Sequence, residues 1–175
     1  ALQDEVNAKT LSANELKLLR LVAVASAYEV RIPVIDLVKL CEIAEPKRTL
    51  ARFNNEFLLR TSQDGQFVEG FHAVRSELMC EQLLDNVLHP WHEIATKVLT
   101  ILYESDLEFF LLCAFSRHYQ DAEKLVHALS DLQPKTWETV RGISRALQWL
   151  GLKTYAHINS EILKMAHTFV GRGWW

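Results

Sequence analysis

The sequence predicts a mainly α chain in two parts: a first part holding one small β-hairpin, and a second made of helices alone. Three observations carry that prediction. Apolar residues recur at three- and four-residue spacing over most of the 175 residues, the period of a helix with one buried face. Gly and Pro are scarce, at 6 and 4, too few for the many tight turns of an all-β architecture. Asp64-Gly65 stands between two short apolar segments, a strong short-range hairpin signal.

The elements follow in order. Residues 1–10 are polar and read as a lead-in. Ser12 and Glu15 form an S-x-x-E capping box, opening a helix whose apolar positions are Leu16, Leu19, Val22, Val24 and Ala27. Arg20 interrupts the apolar run of 18–27, so it reads as a buried helix and not a membrane span. Residues 28–31 end it, and Pro33 opens a short second helix carrying Val34, Leu37, Val38 and Cys41. Pro46 opens a third helix with Leu50, Phe53 and Phe57 on one face and Lys47, Arg48, Arg52 and Asn55 on the others. Residues 57–60 and 67–71 are the two hairpin strands around the turn Gln63-Asp64-Gly65-Gln66. From His72 the chain returns to helix through Leu78, Met79, Leu83 and Leu84.

Beyond Pro90 the helix candidates are 91–103, 106–119, 121–132, 134–150 and 152–169, joined by short connections with breakers such as Pro134 and Gly151. Helix pairs joined this way make a bundle or the start of an α-solenoid. No repeat period is visible. The change of character places a boundary at His89-Pro90, giving domains 1–89 and 90–175.

Composition narrows the function classes. Hydrophobic residues make up 49% and charged residues 23%, a folded and not a disordered balance. A formal charge of −3 is not that of a protein that coats nucleic acid. Cys41, Cys80 and Cys113 are widely spaced and odd in number, which predicts buried thiols in a reducing, cytoplasmic setting and not a disulfide framework. No signal peptide, lipidation motif or membrane-length apolar run is present. The chain starts without Met and stops at Gly173-Trp174-Trp175; two terminal Trp residues predict a piece excised from a longer protein.

The chemistry-bearing motifs are few. There is no G-x-x-x-x-G-K-[ST] phosphate loop, no G-x-S-x-G elbow and no H-E-x-x-H zinc motif, so the chain is not expected to be an enzyme by itself. His89 and His92 flank Pro90, which breaks a shared helical face, and no third ligand follows at metal spacing. Glu104, Asp106 and Glu108 lie at a helix start, where negative charge complements the dipole. Lys47, Arg48, Arg52 and Asn55 on the third helix are candidate DNA contacts, the cations for phosphate or guanine and Asn55 for adenine. Against that, the turn at 63–66 is uncharged or acidic, and Glu45 and Glu56 bracket the helix. A solvated or protein-facing helix is the plainer reading.

Helix, helix, helix, strand, turn, strand, helix is the layout of a winged helix. Phe71-His72-Ala73-Val74-Arg75 follows the second wing strand, and in this context the segment resembles the winged-helix domain of STAND-type NTPases. That family includes plant NLR receptors, apoptosome cores and bacterial antiphage sensors. Its M-H-D signature lies where this chain has Phe71-His72-Ala73, and some bacterial members show an H-x-x-R pattern that His72 and Arg75 match. The resemblance implies that His72 contacts the β-phosphate of ADP held by an upstream P-loop NTPase domain, with ADP or ATP as the cofactor of the parent chain. It also implies a helical arm from residue 90 onward leading to sensor repeats, and an oligomer on activation. The Asp of M-H-D is Ala73 here, so the hydrogen bond of that carboxylate is missing.

The sequence thus predicts a non-catalytic regulatory segment of a signalling ATPase, in which a winged helix senses nucleotide and a helical arm relays it. The alternative is a winged-helix transcription regulator that reads DNA with the third helix. A protein-binding adaptor with neither ligand is the third reading.

Overall fold

The computed structural model describes residues 11–132 and 136–150. It divides into two compact units, Ala1–Leu102 and Tyr103–Trp175. Among the described residues it is mainly helical, with eight α-helices and one three-stranded antiparallel sheet. The lead-in at 1–10, the helix expected at 152–169 and the terminal Trp174 and Trp175 lie outside the described residues.

In the first unit, α1 (Ala13–Ser26) opens on the Ser12–Glu15 capping box, with both reciprocal bonds formed. Every residue from Leu21 to Ser26 is buried, along with Leu18 and Leu19. A helical stretch buried on all sides needs neighbours on all sides, and the second half of α1 has them: α2 (Val34–Cys41), α4 (Ala73–Leu83), α5 (Trp91–Ile101) and the sheet pack around α1. The third helix, α3 (Pro46–Asn55), starts with Pro at its first turn and buries Thr49, Leu50 and Phe53.

The sheet holds β1 (Ile32–Pro33), β2 (Arg60–Thr61) and β3 (Phe67–Glu69) in the order β1-β3-β2. Ile32 faces Val68 on one side of β3, and Arg60 faces Glu69 on the other, where the two side chains pair at 3.0 Å. The sequence reading has no β1. Pro33 is not inside the second helix but in this strand, where it serves as the helix N-cap. An edge position tolerates a residue that cannot donate to the ladder. The hairpin strands are also shorter than expected. Phe57 is in neither the helix face nor the strand: its backbone is left-handed (φ 57°) and its side chain is 59% exposed. The turn itself is as read, with Gly65 at φ 70° and the Asp64 carboxylate accepting from the Gln66 N–H and the Ser62 hydroxyl.

One close approach ties the sheet to α1. The N–H of Gly70 donates to the buried Ser26 hydroxyl oxygen at 2.5 Å. A Cβ at Gly70 would run into Ser76 Oγ and lie 2.7 Å from Ser26 Cβ, so glycine is the residue that fits between α1 and α4.

The division of units falls at Leu102–Tyr103, whereas the sequence changes character at His89-Pro90. The reason is α5, which buries Ile94, Ala95, Val98 and Leu99 and packs on α1. The second unit holds α6 (Leu107–Arg117), α7 (Ala122–Asp131) and α8 (Trp137–Leu150), with 3-10 turns at Glu104–Asp106 and Tyr119–Asp121. Phe110, Leu111, Ala114 and Phe115 of α6 are buried in this unit, as are Val140, Ile143, Ala146 and Leu147 of α8, and these two helices pack on each other. Glu104 accepts the Thr136 hydroxyl at 2.7 Å and Glu108 pairs with Arg145 at 3.5 Å, so these carboxylates bind specific partners as well as a helix dipole. Among the described residues, no helix is long and apolar enough to cross a membrane.

Gly70→Ala is expected to destabilise the chain by about 1–3 kcal/mol, the usual cost of overpacking, measured by urea unfolding. Ser76→Ala, which removes the nearest obstructing atom, recovers part of that loss when combined with it.

Candidate functional site

His72 stands where the chain leaves β3 and enters α4. Its backbone is extended (φ −162°, ψ 140°), as an N-cap requires, and its ring Nδ1 accepts the N–H of Val74 at 3.2 Å. An imidazole nitrogen that accepts carries no hydrogen, so in this arrangement the ring proton resides on Nε2. His72 is exposed, at the positive end of an 11-residue helix. The site is therefore a single N–H donor on the surface, held by its own helix. Arg75, in the first turn of α4, is exposed as well. Phe71, just before His72, packs its ring against Phe57 at 5.5 Å, and Val74 and Leu78 are each more than half exposed.

The third helix is arranged differently from a plain basic reader. Arg52 Nη2 lies 2.7 Å from Glu15 Oε1, its Nε is 3.8 Å from Glu56, and its guanidinium stacks over Phe53 at 4.8 Å. Arg48 pairs with Glu45 at 3.1 Å. Lys47 and Asn55 are exposed. Two of the three cations on α3 thus sit against carboxylates, and Arg52 clamps α3 to the start of α1. The sequence reading missed this because Glu15 lies 37 positions away; its capping box accounted for Glu15 fully, and nothing local marked a second role.

A groove of about 650 Å³ opens at this clamp, lined by Ser12, Glu15, Ile43, Glu45, Arg48 and Arg52 among others. Burial alone would raise the Glu15 carboxyl. The Ser12 N–H and hydroxyl and the Arg52 guanidinium outweigh that and hold it below the ordinary value of 4.5.

Cys41 and Cys80 are not poised as nucleophiles. Burial pushes Cys41 up to about 11, against a smaller opposing pull from Lys17. Burial, with Glu77 and Glu81 adding to it, pushes Cys80 up to about 12. Cys41, Cys80 and Cys113 form no disulfide. Among the described residues, no group of three or more His, Cys, Asp or Glu side chains is placed to hold a metal ion.

No protein-family model, curated protein or solved structure matches the chain.

Because the folded-state carboxyl of Glu15 titrates below its unfolded value, its contribution to stability is present above about pH 4.5 and lost as pH falls through the folded value. Glu15→Gln is expected to be less stable than the parent at neutral pH, with the gap narrowing at pH below 4.5. Urea unfolding at the two pH values checks this; a gap that stays constant would remove the carboxylate from the account.

Proposed function

We propose that the first unit is the winged helix of a STAND-type signalling NTPase, and that His72 reads the nucleotide held by an upstream P-loop domain. The observation that carries this reading is the His72 ring, capped at Nδ1 by the Val74 N–H and exposed with its donor nitrogen available. An N–H donor at a helix N-terminus suits a phosphate oxygen. The order helix, strand, helix, helix, strand, strand, with β3 central, supports the winged-helix assignment. Buried Cys41 and largely buried Cys80, both held as thiols, accord with the reducing cytoplasm where such switches act.

In this reading the chain performs no chemistry itself. ADP binding would favour the closed arrangement by the differential contact His72 makes in it, and exchange to ATP would release it to an oligomer. The helical second unit would pass that change to or from downstream sensor repeats. The DNA-reading alternative draws on Lys47, Arg48, Arg52 and Asn55, and the carboxylates against Arg48 and Arg52 weigh against it. Releasing Arg52 to phosphate would break the clamp between α3 and α1.

His72→Ala in the parent chain is expected to speed ADP release by roughly tenfold or more, as loss of a hydrogen bond to a charged group implies. His72→Asn retains a capping side chain but not the reach of the ring, so it is expected to keep the fold and release ADP as fast as the Ala variant. Retention measured by chromatography of bound nucleotide decides it. Unchanged retention in both variants rules out the nucleotide role, and salt-dependent duplex binding lost in Lys47→Ala would move the function to DNA.

A further inference from the structure

We propose that Phe57 positions His72 through the ring of Phe71, an inference that rests on reading His72 as the nucleotide contact. Three non-glycine residues among the described residues have a left-handed backbone: Glu29 (φ 57°), Glu42 (φ 52°) and Phe57 (φ 57°). Each lies just past the end of a helix. After α3 the Phe57 N–H donates to the Asn54 carbonyl at 3.1 Å and the Leu58 N–H to the Phe53 carbonyl at 2.9 Å, the paired closure that calls for a left-handed residue. The same pair of bonds closes the chain at Glu29 and at Glu42, and both of those residues are exposed. Glycine takes this backbone without the clash that a Cβ brings, and a solvated charged residue serves at the other two turns. The turn alone therefore does not account for an aromatic at 57.

Its ring contact does. The Phe57 ring, although 59% exposed, lies 5.5 Å from the Phe71 ring and is tilted 55° to it, within the geometry of attractive aromatic pairs. Phe71 is the single residue between two fixed points. Before it, the Gly70 N–H is bonded to the buried Ser26 hydroxyl. After it, His72 caps α4, with Nδ1 accepting the Val74 N–H and its carbonyl accepting the Ser76 N–H at 3.0 Å. Rotation of the Phe71 backbone would swing the imidazole off Val74. Side-chain rotamer and backbone angles are coupled, so a Phe71 ring held against Phe57 restrains that rotation. The left-handed Phe57 thus gives up backbone comfort at the end of α3 and holds the cap of α4.

The test uses the whole chain and reads amide exchange by NMR, with urea unfolding beside it. Phe57→Gly removes the ring but suits the left-handed backbone, so the urea midpoint is expected to stay near that of the unsubstituted chain. Exchange of the Val74 N–H is expected to quicken by about two- to tenfold, the equivalent of one aromatic pair. Amides of buried α1 residues such as Val22 keep their rates. Phe57→Tyr, which restores the ring, is expected to restore slow exchange at Val74. Unchanged Val74 exchange in Phe57→Gly would overturn the proposal. So would Val74 and Val22 quickening together, the mark of a general loss of stability. If Phe57→Gly fails to fold, Phe71→Leu is read in the same way. The nucleotide reading fails separately: ADP retention in the parent chain unmoved by His72→Ala refutes it even where Phe57→Gly loosens Val74. Retention lowered by His72→Ala but unmoved by Phe57→Gly refutes the role of Phe57 alone.

Discussion

The burial on every side of the second half of α1 is the constraint from which the rest of the first unit follows. Six successive side chains from Leu21 to Ser26 are out of water, so α2, α4, α5 and the sheet must each cover a part of it. Two cations leave this apolar helix to close its neighbours. Lys17 donates to the Leu40 carbonyl at 2.5 Å and Arg20 to the Leu83 carbonyl at 2.9 Å, near the C-terminal ends of α2 and α4, where carbonyls lack helical partners. Burial lowers the pKa of Arg20, with Asp85 opposing that effect. At the other end Ser26 accepts from Gly70. The segment Gly70 to Leu83 is therefore tied to α1 just before α4 begins and at its last residue.

His72 takes its position from that double attachment. With Gly70 pinned and α4 packed, the extended residue between them becomes the N-cap, and its ring folds back onto Val74 N–H. The same helix α1 supplies Glu15, which holds Arg52 and with it α3. One element thus orients a surface donor and engages the cation most central to a DNA-reading helix. Both effects accord with the docking and sensing role proposed for this unit.

Much of this was legible in the sequence, and the reasons differ by element. The capping box of α1, the Pro start of α3 and the Asp64-Gly65 turn are local signals with local causes, and each stands where the spacing put it. Strand β1 was not legible, because two residues ending in Pro carry no period and gain their pairing only from Val68 and Phe67 across the chain. Phe57 misled because helical spacing continued past the true end of α3, where a left-handed residue turns the chain. At the candidate site, His72 was legible as a residue between strand and helix; its ring partner required the backbone. The Arg52–Glu15 clamp needed tertiary contact.

The direct test of the central claim is the tautomer of His72, read by long-range nitrogen–proton NMR. The account predicts the proton on Nε2, with Val74 N–H protected from exchange and that protection lost in His72→Ala. A proton on Nδ1, with Val74 exchanging as an open amide, would contradict the held donor and the nucleotide reading built on it.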